Sequence, residues 1–117
     1  MGEDDKEAIG FSTVPLAGAH PPTSQGHDPL ILSAALRLSV HQGQVLNFLL
    51  AKPLTLIKEL ERHFGLTSEA RRTIICRLRE RLQYHRIRII THPGAGYSIP
   101  SEDRARIAEI VEQFRSI

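Results

Sequence analysis

The stretch from Ile75 to Ile99, ICRLRERLQYHRIRIITHPGAGYSI, restricts the fold more than any other part of the chain. An arginine-rich segment of helical period runs almost directly into an alternating β-branched run. Pro93, Gly94 and Gly96 then provide a turn, and Gly96 to Ile99 a returning strand with Tyr97 and Ile99 on one face. A chain with this order must set a long helix beside a short hairpin. Its length of 117 residues with 41% apolar content suffices for one modest core.

The remaining segments frame this unit. Residues 1–29 hold Pro15, Pro21, Pro22 and Pro29 without a sustained apolar period, and read as a disordered acidic arm. Folding is expected to start near Leu30, with Leu36, Leu38 and Val40 alternating as in a short strand. Val45, Leu46, Leu49 and Leu50 recur at helical spacing over 42–51, closed by Lys52-Pro53. A second helix is expected over 54–64, with Leu56, Ile57, Leu60 and Phe64 inward and Gly65 in a left-handed C-terminal position. Thr67 or Ser68 then caps a third helix reaching about Tyr84. Ile74, Ile75, Leu78 and Leu82 form its apolar side. Thr73, Arg77 and Glu80 point away, with Arg72 and Cys76 on the flank.

Charge is distributed unevenly. In 1–29, Lys6 stands against Glu3, Asp4, Asp5, Glu7 and Asp28, a balance of −4. Residues 30–117 carry 14 basic and 8 acidic side chains, and seven arginines face Glu80 alone between Arg71 and Arg88. Clustered arginine suits a surface that meets phosphates, although a solvated helix face shows the same run.

Two helices joined through a short Gly-containing turn fit a helix-turn-helix, and the hairpin that follows makes it the winged variant. The expected fold class is mainly α with a small β-hairpin: a winged helix-turn-helix domain over 30–100 and an added C-terminal helix over 101–117. Ile75, Leu78-Arg79, Leu82, Ile89, Thr91, Gly94 and Gly96-Tyr97 follow the pattern I-x-x-LR-x-x-L, spacer, I-x-T-x-x-G-x-GY. This resembles the C-terminal effector domain of OmpR/PhoB-type response regulators, and the resemblance covers about residues 36–100. No receiver domain is expected within 1–29. Pro93 and Ser98 stand where that family commonly has basic residues in the wing.

The resulting function is sequence-specific binding of double-stranded DNA by a transcriptional regulator, with helix 68–84 in the major groove and hairpin 87–99 as the wing. Arg72, Thr73, Cys76 and Arg77 are the candidates for base edges, because arginine can bond guanine bidentately. Arg71, Arg79, Arg81, Arg86 and Arg88 are assigned to phosphates, with pairing to Glu59, Glu61 or Glu80 as the competing use. Thr67 and Ser68 at the helix start are placed to bond a phosphate, and His92 sits in the wing. Cys76 reads either as a redox switch or as a small filler. The alternatives are a winged helix that grips a protein partner and a non-specific architectural DNA binder.

The terminal helix places Ile107, Ile110, Val111 and Phe114 at i, i+3, i+4 and i+7. That stripe reads either as internal packing or as a homodimer seam; the DNA reading also admits contact with the transcription machinery. No catalytic motif is present, and the histidines His20, His27, His41, His63, His85 and His92 lack paired metal-ligand spacing. Neither enzyme activity, a metal nor a cofactor is expected. The acidic N-terminus and the absence of a long apolar run lead to a cytoplasmic expectation without a membrane span.

Overall fold

A computed structural model describes residues 27–116. Of the acidic arm expected over 1–29, residues 1–26, His20 among them, lie outside the described residues, while Asp28 and Pro29 belong to the start of the first helix rather than to the arm. Among the described residues, five helices and three short strands follow in the order α1 (Pro29–Leu36), α2 (Val40–Leu50), β1 (Thr55–Leu56), α3 (Ile57–Phe64), α4 (Ser68–Gln83), β2 (Ile90–His92), β3 (Gly96–Ser98) and α5 (Ser101–Arg115). The fold is mainly helical with one small antiparallel sheet.

Capping chemistry explains where the first two helices start. The Asp28 side chain accepts from the Leu30 amide and Pro29 occupies the first turn, so α1 begins just before the expected Leu30. Ser39 and Gln42 form a reciprocal capping box at the head of α2, with bonds of 3.1 and 3.0 Å. That box overturns the strand expected over 36–40. Leu36 ends α1 facing inward, Arg37 turns the chain at φ 60°, and Val40 is already helical. Helices α1 and α2 approach closely because residue 43 is glycine: a Cβ there would stand 2.0 Å from Ser33 Oγ.

The second helix is shorter than its apolar pattern. Thr55 and Leu56 leave it to pair with the hairpin, Thr55 opposite Tyr97 and Leu56 opposite Gly96, so the helix occupies Ile57–Phe64. Strand β3 is therefore central, with β1 and β2 on its two sides. Gly96 is required at this crossing, since a Cβ would meet the Thr55 carbonyl oxygen at 1.9 Å. Gly65 ends α3 at φ 64°, as its position requires.

Helix α4 has the expected bounds. Thr67 Oγ1 accepts from the Ala70 amide at 3.0 Å, and Ile75, Leu78 and Leu82 are buried. The strand expected over 86–91 pairs only from Ile90. Before that, Ile87 and Ile89 are buried in the core while the Arg88 amide donates to Asp103 rather than to a neighbouring strand. The alternation seals the core there without building sheet.

Helix α5 packs against α1. Ile107 and Val111 are buried in the common core and Ile110 is half-buried against it. This corrects the homodimer seam assigned to Ile107, Ile110, Val111 and Phe114, because the chain itself covers the first three. Phe114 alone of the four is exposed. Among the described residues no helix is long and apolar enough to cross a membrane.

Candidate nucleic-acid interface

Helix α4 divides its arginines between two tasks. Arg71 lies in the buried stripe, where its Nε donates to Glu61 at 2.8 Å and its Nη1 to the Tyr97 hydroxyl. That guanidinium joins α3, α4 and β3. The bond from Arg71 draws the Glu61 carboxyl below its ordinary range against the opposing pull of burial. Immediately after Leu78, Arg79 donates to the Ile89 carbonyl at 2.8 Å and to Thr91 Oγ1, strapping α4 to the incoming hairpin strand.

Arg88 is tied to the first turn of α5. Its Nε reaches Asp103 at 3.0 Å and its Nη2 reaches Glu102 at 3.1 Å. Burial pushes the Asp103 carboxyl up, but the side-chain and backbone bonds from Arg88 outweigh it and hold the group below its ordinary value. Asp103 is 1% exposed. Three of the five arginines assigned to phosphates, Arg71, Arg79 and Arg88, are thus engaged inside the chain, which corrects that assignment. Their partners come from α3, the 89–91 segment and α5, at separations of ten residues or more.

The outer face of α4 has a different character. Arg72, Thr73, Cys76, Arg77 and Arg81 are exposed, and among the described residues the three arginines make no hydrogen bond or ion pair. Glu69 and Glu80 share the exposed surface. At the head of the helix Thr67 and Ser68 are exposed; Thr67 also serves as the cap. At the hairpin, His92 Nε2 lies 2.7 Å from Ser98 Oγ, and Pro93 and Gly94 form an exposed tip with Gly94 at φ 75°. Arg86 sits apart, beyond the end of α4, at φ 60°.

Arg104 was not singled out by sequence reasoning. Its buried guanidinium donates to the carbonyls of Ile99 at 2.9 Å, Leu50 at 2.8 Å and Lys52 at 2.6 Å. The last carbonyls of α2 lack partners within the helix; the Ala51 amide donates to Phe48, and Arg104 serves Leu49 and Leu50. Among the described residues no group of His, Cys, Asp or Glu is arranged to hold a metal ion. Compared with protein-family models, curated proteins and solved structures, the chain finds no match.

Proposed function

We propose that the chain is a winged helix-turn-helix protein that binds double-stranded DNA sequence-specifically and regulates transcription in the cytoplasm, acting by binding rather than by catalysis. Helix α3 and helix α4 are the helix-turn-helix, α4 enters the major groove, and the β2–β3 hairpin is the wing. The observation that carries the reading is the division of arginines on α4. Arg71 and Arg79 are spent on holding the helix against sheet and core, whereas Arg72, Arg77 and Arg81 stand on the opposite, solvent-facing side without partners among the described residues. A rigidly strapped helix that presents unpaired guanidinium groups is suited to a groove lined by phosphates and guanine edges.

In this reading Arg72, Thr73, Cys76 and Arg77 face base edges, while Arg81, Thr67, Ser68 and His92 approach phosphates. The test is fluorescence anisotropy of a duplex selected by the protein, compared with a scrambled duplex across a salt series. Arg77→Ala should cost about 1–3 kcal/mol on the selected duplex and much less on the scrambled one. Arg81→Ala should weaken both alike and flatten the salt dependence by about one unit of slope. Equal binding of both duplexes by the wild type would point to an architectural binder, and no binding at low salt to a protein-interaction module.

A further inference from the structure

A cleft of about 570 Å³ opens between the last turns of α4, the segment 86–90 and the first turn of α5. Its size is that of a site for a small organic molecule. An apolar floor and charged walls shape it. Ile87, Ile89 and Ile90 supply an apolar floor, and Ile90, on an edge strand of the sheet, remains 37% exposed among the described residues. Arg79, Arg86, Arg88 and Arg106 bring four guanidinium groups to the walls against the carboxylates of Glu102 and Asp103. The site therefore carries a surplus of two positive charges.

Those carboxylates are already satisfied. Arg88 bonds both, and Arg106 Nη1 adds a contact to Asp103 at 3.4 Å. Arg106 Nη1 also holds the Arg86 carbonyl at 2.7 Å, fixing the left-handed turn at φ 60° that a residue with a Cβ adopts only at a cost. The Arg86 side chain itself has no partner among the described residues, and the Nε and Nη2 groups of Arg106 make no bond there. A pinned backbone thus sets an unengaged guanidinium at the wall of an apolar floor.

We propose that this cleft binds a small amphipathic anion, an aromatic body carrying a carboxylate. The ring covers Ile87 and Ile90, and the carboxylate takes the fork of Arg86 with the remaining N–H groups of Arg106. Guanidinium recognises a planar carboxylate through two parallel bonds, and the apolar floor excludes the water that would otherwise compete. A DNA phosphate has no apolar body to cover the isoleucines. The site does not depend on what the outer face of α4 binds.

The test is a two-dimensional amide NMR titration of the full chain with 1-naphthoate, with neutral 1-naphthylmethanol and with inorganic phosphate. Naphthoate should produce saturable shifts at residues 86–90 and 102–106, with an affinity about tenfold or more above those of the alcohol and of phosphate. Arg86→Gln should weaken naphthoate about tenfold while the remaining amide peaks keep their positions. Ile90→Thr, which retains the β-branch but removes apolar area, should weaken it as well. Absence of saturable shifts up to about 10 mM overturns the proposal, because it corresponds to negligible affinity. Equal binding of the alcohol, equal binding of phosphate, or an unchanged affinity in Arg86→Gln overturns it too.

Discussion

Replacing Arg104 removes a side chain that completes a helix some fifty residues away. Arg104 is 8% exposed, and its guanidinium reaches Leu50, Lys52 and Ile99 carbonyls with bonds of 2.6–2.9 Å, and a longer one of 3.4 Å to Leu49. Burial lowers its proton affinity, yet arginine remains charged at every accessible pH, so these bonds are charge-assisted. Hydrogen bonds of that kind contribute about 1.5–3 kcal/mol each, and an orphaned buried carbonyl costs about 1–3 kcal/mol. Lys52 is exposed, so its carbonyl recovers a water, whereas Leu50 and Ile99 are buried. The non-additive loss for Arg104→Ala is then about 3–5 kcal/mol, a large part of the ~5–15 kcal/mol of a small domain. Arg104→Met restores packing but leaves the acceptors bare and should cost about 2–4 kcal/mol. Arg104→Lys retains the charge with a single donor head and should lie between Arg104→Met and the wild type. Urea unfolding followed by circular dichroism measures all three, with the slope against denaturant unchanged. Losses below about 1 kcal/mol in both Arg104→Ala and Arg104→Met would refute the capping role.

Gly96→Ala should cost at least about 2 kcal/mol, because its Cβ would stand 1.9 Å from the Thr55 carbonyl oxygen, whereas Gly94→Ala at φ 75° in open space should cost about 1 kcal/mol; thermal unfolding must rank them in that order. The folded pKa of Asp103 is depressed, so its contribution is present above the unfolded carboxyl pKa of about 4 and is lost as pH falls through the folded value. The stability gap between wild type and Asp103→Asn should accordingly be constant above about pH 5 and narrow below about pH 4; a gap that widens in acid would contradict the Arg88 pairing. Ile107→Asp buries an unpaired carboxylate at a position with no exposure and should destabilise the chain by about 3 kcal/mol or more. A well-folded Ile107→Asp protein of half the wild-type sedimentation mass would instead restore the intermolecular seam.

Local chemistry made α4 and the hairpin turn legible in the sequence. Thr67 as cap, the spacing of Ile75, Leu78 and Leu82, and the left-handed glycines at 65 and 94 each act within a few residues of their own position, whereas the close approach that requires Gly96 is to Thr55, about forty residues away. The two-residue strand at Thr55–Leu56 was hidden because its partner lies about forty residues on, and two residues carry no period. The strand expected over 36–40 failed to a capping box, Ser39 with Gln42, whose spacing was present but outweighed by three alternating apolar residues. For the candidate site, formal charge located the arginine cluster but could not sort it. Which guanidinium groups face solvent depends on Glu61, Tyr97, Ile89 and Asp103, and those partners are set by tertiary contacts. The terminal stripe was readable as apolar, while the surface covering it was not.

The most direct test of the DNA reading is enrichment of a random duplex pool by the full chain at about 150 mM salt, where non-specific phosphate binding is weak. Convergence on one short motif is expected, bound at least about 10³-fold more tightly than random duplex, with Arg77→Ala losing preference at one or two adjacent positions. A pool that stays random after repeated rounds, or a motif whose preference Arg72→Ala and Arg77→Ala both leave unchanged, would contradict the DNA reading.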